Sequence, residues 1–399
     1  MMHRGRRAGV RPGLTVLLED RLELVEGKNI GLITNPTGVD ENLASNIFLL
    51  CRRPGVCLKA IFAPEHGLWG AEQDGVLVSS VSYEQARIPV YSLYGATRKP
   101  TQEMLEGIDA LVFDIQDVGA RFYTYISTMA MAMEASAEND VGFVVLDRPN
   151  PIGGLTLEGN VLDPEFSSFV GYFPIPIRHG MTLCELARLF NDHFQIGARL
   201  DVVSMDGWRR DMWFDDTELH WVMPSPNMPA LTTAAVYPGT CLFEGTNISE
   251  GRGTTRPFEL IGAPWIDAHY LAHKLNELSL DGVKFRPIYF IPAFAKYKDR
   301  QCGGVQVHVT DRKKFKPVKT ALNMLDKIRH TYPDEFQWLG EDRPFFDLLM
   351  GTDKVRKHLS RGDPVDDIIR SWEGELSEFS EIRDDYLLYD LPRERDKVA

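Results

Sequence analysis

The feature that most constrains the fold is a series of short, continuous runs of apolar and β-branched residues. They lie in the first two-thirds of the chain: "NIGLITN" (29–35), "LKAIFA" (58–63), "ALVFDI" (110–115), "GFVVLD" (142–147) and "LDVVSM" (200–205). Continuous rather than alternating apolarity is typical of parallel strands that helices cover on both faces. Helix-like segments separate the runs, at 101–107, 125–138 and 182–194. This alternation predicts an α/β domain with a doubly wound, mostly parallel sheet.

The remaining third of the chain has a different pattern. Two strand-like runs, 285–294 and 303–311, precede an amphipathic helix at 316–330 and a charged, mainly helical tail. A smaller α+β domain is therefore predicted over 268–399, after a first domain over 14–267 and a disordered start over 1–13. The clearest helix of the first domain is 182–194, because Thr182 and Glu185 have the T-x-x-E spacing of a capping box.

Composition and charge narrow the partners and the compartment. A net charge of −13 over 399 residues argues against nucleic acid, which needs clustered Lys and Arg. No apolar run reaches membrane-spanning length, and the apolar stretch after the basic amino terminus is too short for a secretion signal. Five scattered cysteines lack CxxC or zinc spacing, so we expect reduced thiols and no metal site. We expect a cytoplasmic protein without a membrane partner.

Polar residues follow four of the predicted strands. The stretches are "NPTGVD", "PEHGLWG", "QDVGARFYTY" and "DRPNPIGG". Each alone is ordinary turn chemistry, but the carboxyl ends of parallel strands meet at the edge where open α/β sheets bind ligands. Together they predict a functional cleft. The G-x-G-x-x-G, P-loop and G-x-S-x-G motifs are absent, so a nucleotide enzyme and a serine hydrolase are both disfavoured.

The segment 237–265 is rich in glycine, threonine and charge, too polar for a packed element. One interpretation is a solvated surface loop. The other is a binding loop, since long irregular segments inside compact domains are usually functional. Just upstream, 221–231 is proline-rich and aromatic and resembles a rigid cleft wall.

Seven motifs resemble one known family. They are "GLITNPTGVD", "APEHGLWG", "DIQDVGARFYTY", "LDRPNPIGG", "PSPNMP", "FEGTNISEGRGTTRPFELIGAPWI" and "FFDLLMGTDKVRKHL". They are similar to those of the exo-β-N-acetylmuramidase (NamZ-type) family of bacterial glycoside hydrolases, and the likeness runs from about residue 14 to 390. The resemblance implies a Rossmann-like domain followed by a smaller domain, with the active site in the cleft between them. It also implies release of terminal N-acetylmuramic acid from the non-reducing end of peptidoglycan fragments, without a cofactor.

The resemblance implies that Glu65, in the "PEHG" motif, is a catalytic carboxylate. Glycoside hydrolysis needs an acid and a second group that manages the developing positive charge on the sugar. Glu65 suits the acid. For its partner we rank Glu244 first, because it follows the strand-like "TCLF", then Glu250 and then Asp114. A structural role as a partner of arginine is an equal alternative for Glu244 and Glu250. The 2-acetamido group of the substrate is itself a possible nucleophile, so the retaining, inverting and substrate-assisted routes all stay open.

The sugar also needs binding residues. Its lactyl carboxylate calls for a guanidinium, and an arginine binds a carboxylate with two hydrogen bonds. The candidates for substrate binding are Arg121, Arg148, Arg252 and Arg256 for the carboxylate, Trp69, Tyr123 and Tyr125 for stacking, and His66, Asp147, Asn150, Asn227 and Asn247 for hydrogen bonds. Arg148 has a structural alternative as the ion-pair partner of Asp147, and His66 as the residue that caps its turn.

The predicted substrate is a small saccharide of the MurNAc-GlcNAc type, and the oligomeric state stays open. Unlike many members of the family, the chain shows no secretion signal, which favours imported muropeptide sugars over the polymeric wall. The alternative from another class is a non-catalytic protein that holds muropeptides in the same cleft. Only an enzyme needs two carboxylates across the sugar.

Overall fold

The computed structural model of the chain describes residues 9–73, 81–83 and 87–390. The strands are β1 Asn29–Thr34, β2 Cys57–Ala63, β3 Val81–Tyr83, β4 Ile88–Ser92, β5 Ala110–Asp114, β6 Gly142–Leu146, β7 Glu158–Val161, β8 Pro176–Arg178, β9 Leu200–Val203, β10 Leu260–Ala263, β11 Val283–Phe290 and β12 Cys302–Val309. The α-helices are α1 Gly13–Asp20, α2 Asn46–Cys51, α3 Tyr125–Glu138, α4 Leu183–Asp192, α5 Leu231–Thr240, α6 Ala268–Glu277, α7 Pro317–Thr331, α8 Phe345–Met350, α9 Lys354–Arg361, α10 Val365–Arg370 and α11 Glu373–Asp384.

The predicted doubly wound sheet is confirmed. In the described part of the chain it has seven strands in the order β3-β4-β2-β1-β5-β6-β9, and only the edge pair β3–β4 is antiparallel. The five apolar runs are β1, β2, β5, β6 and β9, each within two residues of its predicted ends. Chain order reverses between β1 and β5, and an open α/β sheet is expected to bind its ligand near this point, at the carboxyl ends of its strands.

Helices cover both faces of this sheet, as the continuous apolar runs require. On one face Leu32 packs in a cluster with residues of α1 and α2, and on the other Ile33 packs with residues of α3 and α4. The predicted capping box begins α4: Thr182 accepts from the backbone of Glu185, whose carboxylate accepts from the backbone of Thr182. The second of these two clusters continues into α7 and the smaller sheet, so one apolar core joins the two parts.

The carboxyl-terminal part is α+β, as predicted. An antiparallel sheet in the order β10-β12-β11 packs with α6, which also contacts α7, and four short helices follow. Strand β10 precedes the predicted boundary between residues 267 and 268, so this sheet draws one strand from the segment assigned to the first domain.

Several local predictions need correction. "TCLF" is not a strand: Thr240 ends α5, and a 3-10 helix over Cys241–Gly245 carries Glu244. The predicted helix at 101–107 is only a 3-10 turn at Glu103–Leu105. Of the predicted disordered start, residues 1–8 lie outside the described residues, whereas Val10 is buried and α1 begins at Gly13.

The side chain of Arg121 fastens three segments together rather than facing a ligand. Its guanidinium is buried and donates to the backbone carbonyls of Asn160, Ile175, Leu349 and Met350 at 2.7–3.0 Å. Burial lowers the pKa of Arg121 to about 9, since it removes the guanidinium from water and no carboxylate of the described residues pairs with it. The predicted substrate-binding role of Arg121 therefore gives way to a structural one.

Replacing Arg121 with methionine should destabilise the fold strongly, because four buried carbonyls would each lose a donor, and within the described residues only those of Ile175 and Met350 have a second side-chain or loop donor. Each buried, unsatisfied polar group costs about 1–3 kcal/mol, so we expect a loss of at least about 3 kcal/mol in the free energy of unfolding, measured by urea denaturation. The matched control is Arg312→Met, whose exposed ion pairs with Asp215 and Asp216 should contribute less than about 1 kcal/mol. Equal losses in the two variants would contradict this structural role.

Asp147, another predicted substrate-binding residue, is fully buried and ties the end of the chain to the sheet. Its carboxylate accepts from the hydroxyl of Tyr389 at 2.5 Å, the hydroxyl of Thr182 at 2.7 Å and the backbone of Cys184 at 3.0 Å. Burial raises the pKa of Asp147 to about 7 in spite of these donors. Asp147 is thus a packing residue that loses its proton near neutrality.

This raised pKa predicts a pH-dependent stability. The folded protein binds a proton at Asp147 that the unfolded chain releases near pH 4, so the contribution is present at low pH and is lost as pH rises through about 7. Wild type should therefore lose stability between pH 5 and pH 8 by a component that Asp147→Asn lacks, measured by denaturant unfolding at both values. Asp201→Asn, an exposed change in β9, should keep the wild-type dependence.

Candidate active site

A cavity of about 450 Å³ lies at the carboxyl ends of β2, β4 and β5. Its lining comes from the loops after these strands, the start of α3, the segment 225–228, α5 and the 3-10 helix after it, and α8. The lining residues used below are Glu65, His66, Tyr94, Arg98, Tyr123, Thr124, Tyr125, Phe169, Asn227, Tyr237, Glu244, Arg252, Phe258 and Leu349. The cleft predicted from the polar strand ends is therefore present.

Glu65 stands in the turn that ends β2, and the backbone of this turn is unusual. His66 has φ +71°, a left-handed conformation that costs a residue with a side chain about 1–3 kcal/mol, and Gly67 follows with φ +76°. The ring of His66 bonds the backbone oxygen of Glu72 at 2.8 Å, which holds the turn. Glu65 is 7% exposed, and its carboxylate accepts a hydrogen bond from the hydroxyl of Thr124 at 2.7 Å. Glu65 is therefore held at the wall of the cavity.

Glu244 belongs to a chain of alternating charges. Its carboxylate accepts from Arg252 at 2.6 Å, and Arg252 also lies 3.4 Å from Glu250. The other oxygen of Glu250 accepts from Lys296 at 3.0 Å, and Lys296 donates to the backbone carbonyls of Phe243, Glu244 and Ile248 as well. Glu244 and Arg252 line the cavity, whereas Glu250 is buried behind them, so Glu250 and Lys296 act by holding Arg252 and the loop in place.

Aromatic rings form one wall of the cavity. Tyr123 makes edge contacts with Tyr125 and Tyr237, at 5.0 and 5.7 Å between ring centroids, and Tyr237 continues the row to Phe258 at 4.7 Å. The guanidinium of Arg252 lies 4.9 Å from the ring of Phe258. Burial raises the pKa of Tyr123 and Tyr237 well above the usual range, so both stay neutral donors. A wall of this kind suits the apolar face of a sugar ring.

The cavity brings together part of the predicted site. Its lining includes Glu65, His66, Tyr123, Tyr125, Asn227, Glu244 and Arg252. The amide of Asn227 donates to Gln73 at 3.1 Å. The other predicted residues lie elsewhere, and their contacts account for them.

Asp114 and Arg148 are buried partners of each other at 2.7 Å, which removes Asp114 from the candidates for the second catalytic carboxylate. Arg148 also donates to the backbone of Val39, so its ion-pair partner is Asp114 and not the Asp147 considered as an alternative. Asn150, also buried, donates to the backbone of Met181 and accepts from that of Ile152.

Three predicted binding residues lie on or near the surface. Asn247 exchanges hydrogen bonds with the backbone of Glu335 and Gln337. Arg256 is half-exposed beside Glu259, and Trp69 is 67% exposed, 6.1 Å from the ring of Tyr83. None of these three is among the lining residues of the cavity described above.

Some site residues escaped the sequence analysis. Thr124 and Tyr237 lie within or beside quoted motifs, but hydroxyl and aromatic side chains carry little signal of their own. Arg98 lies in the loop after β4, a strand that was not predicted because Pro89 interrupts its apolar run. With β4 recognised, the polar "YGATRKP" after it would have joined the other strand-end loops. Lys296 has no local signal, since its partners are 46–53 residues away.

The cavity holds two acidic side chains beside an aromatic wall, at the edge of an α/β sheet where ligands bind. This arrangement suits a hydrolase that acts on carbohydrates. Comparison with known proteins specifies which. The family model described as exo-beta-N-acetylmuramidase NamZ, N-terminal, matches residues 30–232, and its C-terminal counterpart matches 235–389. The chain therefore belongs to the NamZ exo-β-N-acetylmuramidase family and is a glycoside hydrolase. Family membership favours an enzyme over the non-catalytic binding protein considered as an alternative.

Individual relatives agree. The chain is 53% identical over 380 residues to the peptidoglycan beta-N-acetylmuramidase NamZ of Bacillus subtilis (strain 168), covering 95% of this chain and 91% of that protein. Two crystal structures of DUF1343 family proteins from Bacteroides fragilis each cover 96% of this chain and are covered completely. Their TM-scores are 0.90 and 0.79, at 41% and 30% identity.

Two features are absent from the part of the chain that the structure describes. None of the helices over 9–73, 81–83 and 87–390 is both long and apolar enough to cross a membrane. The same residues contain no group of three or more His, Cys, Asp or Glu side chains that would hold a metal ion.

Proposed function

We propose that this chain removes the terminal N-acetylmuramic acid residue from the non-reducing end of peptidoglycan-derived saccharides, with a MurNAc-GlcNAc disaccharide as the smallest substrate. Glu65 is the general acid and Glu244 the second carboxylate of this proposal. The observation that carries it is that both side chains line one cavity of about 450 Å³, each held by a specific donor.

One contact of each carboxylate supports its role in this proposal. The Glu65 carboxylate accepts a hydrogen bond from the hydroxyl of Thr124 at the wall of the cavity, and Glu244 forms an ion pair with Arg252. In this proposal Glu65 protonates the leaving oxygen. Glu244 is suited to stabilise the positive charge on the sugar, to attack it, or to orient the acetamido group of the substrate.

We further propose that the reaction takes place in the cytoplasm, on imported saccharides. All five cysteines are free thiols, and Cys51 and Cys57 are exposed. Exposed thiols suit a reducing compartment, where disulfides rarely form.

Trp69 remains a proposed stacking residue for sugar units outside the cavity, since its ring is exposed four positions after Glu65.

The first test of the mechanism concerns Glu65. Glu65→Gln should lower kcat/KM on a chromogenic β-N-acetylmuramide by about 10²–10⁴, because the amide cannot donate the acid proton. Thr124→Val should cost about tenfold, since one orienting hydrogen bond is lost. Glu103→Gln, an exposed acid on a 3-10 turn, is the matched control and should match wild type. If Glu65→Gln kept activity within a few-fold of wild type, Glu65 would not be the acid.

The second test separates Glu244 from Glu250. Glu244→Gln should lower kcat by at least about 10², because its carboxylate faces the reacting sugar. Glu250→Gln should act through Arg252, so a smaller fall in kcat together with a lower unfolding midpoint is expected. Steady-state kinetics and thermal unfolding of both variants provide the comparison. A larger loss of kcat in Glu250→Gln than in Glu244→Gln would reverse the assignment. Proton NMR of the first anomer released from wild type distinguishes retention from inversion.

A further inference from the structure

The arginines in and around the cavity differ in whether their guanidinium groups already bind a partner within the protein. Arg252 is shared between Glu244 and Glu250, and Arg148 is paired with Asp114 inside the fold. The guanidinium of Arg121 donates to buried backbone carbonyls. A guanidinium that is already bonded in this way has little capacity left for a substrate carboxylate.

Arg98 is different. It lines the cavity from the loop after β4, and its guanidinium lies 4.2 Å from the ring centroid of Phe169 and 5.4 Å from that of Tyr94. Within residues 9–73, 81–83 and 87–390, no carboxylate forms an ion pair with Arg98, so the two rings hold its position without neutralising its charge. Stacking of this kind leaves the hydrogen-bonding edge of a guanidinium free.

The charge balance of the site points the same way. Among the described residues in and directly behind the cavity, and with Arg98 left aside, the three carboxylates of Glu65, Glu244 and Glu250 outnumber the two cations Arg252 and Lys296. The whole chain carries a formal net charge of −13. An anionic sugar would meet repulsion in such a cavity, and Arg98 supplies the positive charge that offsets it.

We infer that Arg98 binds the lactyl carboxylate of the sugar and is the residue that distinguishes N-acetylmuramic acid from N-acetylglucosamine. This inference rests on the proposed function, because it requires that sugar in the cavity. The two sugars differ only in the lactyl ether, so a charge-assisted, two-pronged contact at this group supplies the discrimination. Arg98 is a specificity residue and takes no part in bond cleavage.

The experiment compares two chromogenic substrates with one leaving group, a β-N-acetylmuramide and a β-N-acetylglucosaminide. Arg98→Met keeps the aliphatic stem and removes the charge. It should lower kcat/KM for the muramide by about 10–100-fold, mainly through KM, and leave the glucosaminide within about twofold. Arg98→Lys keeps the charge but not the forked pair of donors, so its kcat/KM for the muramide should lie between those of wild type and Arg98→Met. The matched control is Arg52→Met, which removes an exposed arginine 4.9 Å from the ring of Phe48, outside the cavity, and should equal wild type on both substrates.

The outcomes separate this inference from the proposed function. If wild type cleaves the muramide and Arg98→Met retains its preference, or loses both substrates equally, Arg98 does not bind the lactyl group. If wild type with its native thermal midpoint cleaves neither substrate, the proposed function itself fails. Inhibition by free N-acetylmuramic acid gives a second readout: its inhibition constant should rise in Arg98→Met by the same factor, while Arg52→Met leaves it unchanged.

Discussion

The buried guanidinium of Arg121 is the contact on which the shape of the site depends. Arg121 comes shortly after strand β5 in the sequence, and its side chain donates to backbone carbonyls of the β7–β8 region and of α8. One of these carbonyls belongs to Leu349, which lines the cavity. A charged group without an acid partner is costly to bury, so its four carbonyl acceptors must all stay in place. This requirement fixes the position of α8, which contributes Leu349 to the cavity wall, relative to the large sheet.

A parallel sheet delivers many polar side chains to one edge, and burial decides which of them can serve a ligand. The polar groups at the ends of the central strands β5 and β6, which are Asp114, Asp147 and Arg148, are buried. Arg148 pairs with Asp114 and donates to the backbone of Val39, and Asp147 accepts from the hydroxyl of Thr182. Glu65 and Arg98 follow β2 and β4, nearer the edge of the sheet, where the loops open into the cavity. Position within the sheet thus separates buried polar groups from groups of the same chemical type that line the cavity.

The site needs both halves of the chain. Glu65, Thr124 and Asn227 fall within the segment that matches the amino-terminal family model, whereas Glu244, Arg252 and Lys296 fall within the other. Because one apolar cluster extends from the large sheet through α7 to the small sheet, the two carboxylates are held in a common framework. The alternation of Lys296, Glu250, Arg252 and Glu244 then orients the second carboxylate, since each charge is satisfied by its neighbour.

The sequence by itself determined the parallel sheet, the capping box of α4 and the placement of Glu65 after a strand, because apolar periodicity, caps and strand ends are local signals. It did not determine which polar residues meet. Arg121 finds acceptors as far as 229 positions away, and Asp147 finds Tyr389 242 positions away, contacts that no local pattern encodes. It also gave no signal for β4, and therefore none for Arg98, because Pro89 breaks the apolar run although the strand pairs with both β2 and β3. Local propensity gives the elements, whereas burial and long-range satisfaction of polar groups, which exist only in the folded chain, decide which candidates line the cavity.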